Sequence, residues 1–403
     1  MPLTGTVVLL FLVAAAVALA ARRLRIPYTV ALVVAGLALG WGDVLRPPAL
    51  TKDLLFALFL PGLLFEAAFH LDAEEFWRNR RPIFSLALPG IIGATFLTAA
   101  ALVPGFRVLG IAPAIEWGPA FLFATLIAAT DPIAVVALVR TLGAPLRLGL
   151  LIEGESLLND GTAAVALSVT VAYVLGSAPT ALQLVVDFVA AIAGGVFIGA
   201  LIGLFVGRIA RWLDDPMLMI TVTMAAAYGS FIVADSLHVS GVIATVTAGL
   251  FSGNRAAQTA MSPAVREALK PFWEYIGFAL NSLVFLLIGF TTRVPTLLEN
   301  WKPIVLAYVV VTVARGIVTA ILSVALPKEE RLPPRWTAVL AWSGLRGALA
   351  MVLALSLPEA VPQRELVITI TVGVVVISIL LQGLTVRPLL RALGLAVEPA
   401  PVR

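Results

Sequence analysis

The residues Glu155, Ser156, Asn159 and Asp160 crowd two carboxylates, a hydroxyl and an amide into one stretch, Gly154-Glu155-Ser156-Leu157-Leu158-Asn159-Asp160-Gly161. On a helix, Glu155 and Asn159 share one face and Ser156 and Asp160 the adjacent one. The chemistry this set suits is ion coordination. A hard alkali cation takes several oxygen ligands. Asp160 offers carboxylate oxygens, Ser156 a hydroxyl and Asn159 an amide oxygen. A carboxylate withdrawn from water also holds a proton more readily. If Asp160 binds either a proton or a cation, but never both, it exchanges one for the other without further machinery.

A second group completes the oxygen shell. Thr130-Asp131-Pro132 lies mid-way along an apolar segment. The residue before a proline is pushed away from helical φ/ψ, so a helix should break there and free its carbonyls. Thr130 and Asp131 add two side-chain oxygens. Arg346, in Ser343-Gly344-Leu345-Arg346-Gly347, needs an acidic partner within the apolar phase: Glu155, Asp131 or Asp160. Pairing with Glu155 is the expected arrangement, because it leaves Asp160 for cargo. A guanidinium stays charged, so the pair is structural. Arg315 is read as a second structural cation, with Glu274 or Asp131 as its counter-ion. Glu66 lines a cytoplasmic funnel or snorkels to the surface. Asn281 and Ser282 orient the site or bond another helix. Asp187, Asp235 and His238 belong to solvated ends and turns, although a pH-sensing role for His238 stays open.

The elements that must carry these groups are legible in the composition. Of 403 residues, 61% are hydrophobic and 12% charged. Soluble chains carry about 25% charged residues. The apolar runs approach the roughly 20 residues needed to cross a bilayer as a helix. The chain is therefore read as an all-α polytopic membrane protein. About thirteen spans are expected, at 4–21, 27–42, 53–70, 83–104, 117–139, 148–175, 181–207, 216–236, 240–252, 271–292, 303–326, 336–357 and 365–386. An acid at bilayer depth costs about 2.5–3.5 kcal/mol on insertion scales, which marks Asp160 and its neighbours as functional candidates. The first segment is expected to be retained rather than cleaved, since Arg22, Arg23 and Arg25 follow it directly. Pro271 and Pro388 are expected near helix ends.

With the N-terminus outside, most loop Lys and Arg fall on one side, from Arg22 through Arg140 and Arg208 to Arg391. The bias puts the C-terminus in the cytoplasm, in a cell (inner) membrane. The net charge of +4 is accordingly read as membrane-facing loop charge, with no nucleic-acid partner. The odd count suggests two inverted six-helix repeats, about 1–176 and 216–390, joined by a linker helix at about 181–207. The whole chain, 1–403, is expected to form one transmembrane transporter domain, with no separate soluble domain expected. The fifth and twelfth spans are counterparts, and each carries a break. Paired broken helices point to a midplane binding site. Residues 253–270 form the longest connection and are expected to hold a surface helix. Gly195, Gly199, Gly203 and Gly207 give the linker helix a smooth face for close packing, against this chain or a second copy.

Together, ATDP at 129–132, EGESLLNDG at 153–161, FWEYIGFALNSLVFLLIG at 272–289 and WSGLRGALAMVLALSLP at 342–358 resemble the cation–proton antiporter-1 family, and within it the prokaryotic NhaP-type sodium/proton antiporters. The resemblance spans nearly the whole chain. It implies a thirteen-helix homodimer exchanging Na+ or Li+ for H+ by an elevator-like movement. It implies that Thr130, Asp131, Ser156, Asn159 and Asp160 bind the cation and that Glu155 and Arg346 form the family's ion pair. It further implies electroneutral exchange, because Asn159 precedes a single carrier, Asp160. Regulation by a long cytoplasmic tail does not carry over.

Other classes fit less well. A K+/H+ antiporter of the same fold and a passive cation channel could use the same polar pathway. An enzyme is not expected: the sequence has no HExxH or GxSxG motif and no cysteine. No cofactor is expected beyond the transported ions, and the absence of an ATP-binding Gly-rich loop argues against a primary pump.

Overall fold

The apolar runs become helices in the computed structural model, which describes residues 3–24, 26–41, 58–111, 114–176 and 180–396. In chain order the helices are α1 (Leu3–Leu24), α2 (Tyr28–Trp41), α3 (Leu60–His70), α4 (Arg80–Val108), α5 (Trp117–Leu126), α6 (Ile133–Thr141), α7 (Leu146–Val174) and α8 (Ala181–Ile209). They continue as α9 (Pro216–Ser236), α10 (Gly241–Gly253), α11 (Pro263–Thr291), α12 (Trp301–Ala325), α13 (Pro334–Trp342), α14 (Ala348–Leu355), α15 (Arg364–Ile377) and α16 (Gly383–Ala392). A π-helical turn, Ser378–Gln382, joins α15 to α16. Short helices at Ala73–Arg78, Arg255–Ala260 and Val294–Glu299 serve as connections. Seven of the described helical segments are long and apolar enough to cross a membrane: α4, α7, α8, α9, α11, α12 and the continuous run of α15, the π-turn and α16. The start of the expected span at 53–70 lies outside the described residues.

Two helix ends differ from expectation. Pro271 sits inside α11, which begins at Pro263. Pro388 sits inside α16. A proline inside a helix removes one hydrogen bond, and here the flanking residues continue the helix around it. The expected surface helix in 253–270 is present as Arg255–Ala260.

The chain folds into two compact units, neither continuous in sequence. One comprises Met1–Thr51, Arg81–Asn159 and Ser282–Arg403; the other comprises Lys52–Arg80 and Asp160–Asn281. The second unit is organised around α10. Its core gathers Phe65, Phe69, Met219 and Trp273. Phe65 and Trp273 rings stand 4.6 Å apart, and the Trp273 indole donates to Thr223 Oγ1 at 3.2 Å. The glycine face of α8 packs here. A Cβ at Gly195 would stand 2.7 Å from Ser240 O, one at Gly199 2.7 Å from Thr247 Cβ, and one at Gly203 3.0 Å from Ala248 O. The glycine groove is thus filled by α10 of the same chain and is not open to a second copy. Val185, Val189, Phe197, Leu201, Leu204 and Phe205 of α8 are exposed. An apolar exterior of this kind is what a helix presents to lipid.

The first unit holds both interrupted helices. The pair α5–α6 is broken between Leu126 and Ile133, and α13–α14 between Trp342 and Ala348.

Candidate ion site

At the first break, Pro132 has no N–H to offer the carbonyl of Ala128, four residues earlier. The neighbouring carbonyls lose their donors as well. The Asp131 amide donates instead to Leu345 O at 2.7 Å, and the Ile133 amide donates to Asp131 Oδ1 at 3.0 Å. Four carbonyls, of Ile127, Ala128, Ala129 and Thr130, are left without helical partners. Arg346 covers the first three. Its Nη1 donates to Ile127 O, to Ala128 O at 3.1 Å and to Ala129 O at 3.5 Å. The Ser156 hydroxyl, arriving from α7, donates to Thr130 O. The guanidinium of Arg346 therefore sits at the C-terminal end of α5, where the helix dipole favours a cation.

The second break is built differently. The Leu340 carbonyl near the end of α13 accepts from Arg315 Nη2 at 3.1 Å. Gly344 has no side chain in the space that Arg315 fills: a Cβ there would stand 2.6 Å from the guanidinium carbon. Arg315 Nη2 also meets Glu155 Oε1 at 2.9 Å. The same oxygen accepts from Asn159 Nδ2 at 3.2 Å. Glu155 and Asn159 are one turn apart on α7, so the helix presents both to Arg315.

Asp131 faces helix N-termini. Its Oδ1 accepts from the first amide of α6, and a Cβ at Gly347, which precedes α14, would stand 2.6 Å from its Oδ2. Negative charge is favoured at such ends. A narrow cavity of about 20 Å³, room for about one water, is lined by Glu155, Asn159, Arg315, Arg346, Thr98 and Thr319.

A model of the family described as "Sodium/hydrogen exchanger, transmembrane" matches residues 7–392. The chain belongs to the sodium/hydrogen exchanger family. It is 34% identical to the Na(+)/H(+) antiporter NhaG of Bacillus atrophaeus, over 95% of this chain and 74% of that protein. It is 37% identical to the Na(+)/H(+) antiporter NhaP of Pseudomonas aeruginosa, over 84% of this chain and 81% of that protein. Its fold matches a sodium proton antiporter of Methanocaldococcus jannaschii with a TM-score of 0.80 at 18% identity, over 97% of this chain and 98% of that one. This is a multi-pass membrane exchanger fold.

Within the exchanger, the first unit brings Thr130, Asp131, Glu155, Ser156, Asn159, Arg315 and Arg346 together through the bonds above. Asp160 is the next residue of α7, half-buried, one helical turn beyond Ser156. The expected pairing of Glu155 with Arg346 is corrected: the direct partner of Glu155 is Arg315. The Nη1 of Arg346 is taken by backbone carbonyls. Arg315 correspondingly pairs with neither Glu274 nor Asp131. Both arginines lie in apolar spans, and the sequence does not give the rotation that brings one of them to Glu155.

Glu66 belongs to a cluster that the sequence reading missed. His70 Nδ1 stands 2.9 Å from the Glu66 carbonyl and 3.2 Å from its carboxylate. Glu274 approaches the other ring nitrogen at 3.8 Å. The i, i+4 spacing of Glu66 and His70 was the available signal. Asn281 is half-buried in the second unit. Its neighbour Ser282 accepts from the Tyr28 hydroxyl at 2.8 Å. His238 and Asp187 are exposed, as expected of solvated ends. Ser378 and Gln382, buried and one turn apart in the last span, were also missed.

Proposed function

We propose that the protein exchanges Na+ or Li+ for H+ across a membrane, with cation and proton competing for Asp160. One observation carries the reading. Helix α7 presents Ser156, Asn159 and Asp160 within one turn, and its Ser156 hydroxyl docks on the freed carbonyl of Thr130 at a broken helix. Oxygen ligands from a carboxylate, a hydroxyl and backbone suit a hard monovalent cation. The cation ligands are Asp160, Ser156, Asn159, Thr130 and Asp131. The antiporter activity named for the relatives supports the same reading.

Exchange is electroneutral, one cation for one proton. Glu155 is neutralised by Arg315, Asn159 cannot ionise, and one titratable carrier remains on this turn. Alternating access, built on two inverted repeats, moves the site between the two faces. Loop charge places the N-terminus outside and the C-terminus in the cytoplasm of the cell membrane. A homodimer is the expected assembly, resting on the family resemblance. The protein transports and does not catalyse.

The test is proteoliposome exchange with Na+, Li+ and K+ offered separately, with and without a membrane potential. Na+ and Li+ should each drive uphill H+ movement at a rate independent of potential. K+ coupling alone would make it a K+/H+ antiporter, and ion flow without uphill H+ movement would make it a channel.

A further inference from the structure

The π-turn of the last span buries two polar residues against the second break. Ser378 and Gln382 are 1% and 3% exposed. The Ser378 hydroxyl donates to Gln382 Oε1, and its lone pair accepts the Arg346 amide at 3.0 Å. That amide belongs to the same peptide unit as the Leu345 carbonyl, which accepts the Asp131 amide at 2.7 Å. One peptide in the second break is therefore held on both edges. Ser378 grips one edge and the backbone of the first break grips the other. The next carbonyl before Asp131, that of Thr130, receives Ser156.

A peptide group is planar, so fixing its N–H fixes the direction of its C=O. In a break there is no helical ladder to do this. We propose that Ser378, aligned by Gln382, is a positioning residue for cation binding: it sets the plane of the Leu345–Arg346 peptide and, through it, where the Thr130–Asp131 oxygens lie. The π-turn is what brings the hydroxyl to this edge. Such single-turn π segments recur at functional sites. The inference rests on the reading of Thr130, Asp131, Ser156 and Asp160 as the cation site.

The experiment measures Na+ dependence of H+ exchange in proteoliposomes for wild type, S378A, S378T, Q382M and D160N. Removing one buried hydrogen bond should raise the Na+ KM of S378A about five- to tenfold, with the maximal rate kept within about twofold. S378T keeps the hydroxyl and should return KM to within about twofold of wild type. Q382M loses only the aligning acceptor and should raise KM about threefold. It carries the test if S378A does not yield folded protein. An unchanged KM in S378A and Q382M overturns the proposal. So does a loss confined to maximal rate, or S378T as impaired as S378A. D160N separates the two levels. If D160N still exchanges ions, the site assignment itself has failed. If D160N is inactive and S378A has a normal KM, only the role of Ser378 has.

Discussion

At the first break a proline withholds a donor, and Arg346 covers the three carbonyls left behind. At the second, glycine withholds a side chain, and Arg315 fills the room it leaves while reaching both Leu340 O and Glu155. Each half-helix C-terminus thus receives a cation from another part of the chain, as the helix dipole favours. The consequences differ. Arg346 is committed to backbone and holds a shape. Arg315 is committed to a carboxylate and sets its charge against that of Glu155, on the helix turn that carries Asn159. The two arginines look alike in the sequence, yet one supports the geometry of the site and the other its electrostatics.

The largest effect should come from breaking the charge pair. R315A leaves Glu155 buried and uncompensated, which costs about 3–5 kcal/mol. Thermal unfolding in detergent should show this loss, and adding E155Q should recover most of it. A double-mutant cycle sharpens the contrast: Glu155 should couple to Arg315 by about 2 kcal/mol or more, and more weakly to Arg346. A stronger coupling of Glu155 to Arg346 would reverse the assignment. Next comes R346A, which strands up to three carbonyls and should cost about 3 kcal/mol. R346K should recover only part of it, because an ammonium cannot reproduce the planar donor array.

A smaller effect is expected from G344A. Its methyl would meet the Arg315 guanidinium. Crowding a packed site costs about 1–3 kcal/mol, and the Glu155 pair should loosen with it. Smallest in stability is P132A. It returns an N–H to the first break, so unfolding should shift by less than about 1 kcal/mol. Exchange should nevertheless fall by roughly tenfold or more, because a displaced ligand shell is costly to function. If P132A exchanged ions normally, the break would not be part of the site.

Much of this arrangement was visible in the residues. Acids and amides stand out in apolar segments, so Glu155, Asn159 and Asp160 declared themselves by expense alone. Pro132 announced its break through the hydrogen it lacks, and the Gly344 and Gly347 pair announced the other. Pairings were not visible. From the sequence, Glu155 is expected to pair with Arg346, and Arg315 with Glu274 or Asp131, whereas helix rotation, set by side-chain packing, brings Arg315 to Glu155. The glycine face of α8 was legible as a contact, but only the fold shows α10 filling it. Pro271 misled because a proline tolerated inside a helix has the same letter as one that starts it. Ser378 and Gln382 are also polar residues in an apolar span, but no carboxylate stands beside them as Glu155 and Asp160 stand beside Asn159, so they raised no alarm.

The most direct test of the account is exchange by D160N in proteoliposomes with a Na+ gradient and an internal pH dye. If Asp160 alone carries both cation and proton, D160N should give no Na+-driven H+ movement, while its thermal unfolding stays close to wild type. Coupled H+ movement at an undiminished rate in folded D160N would show that the carrier lies elsewhere.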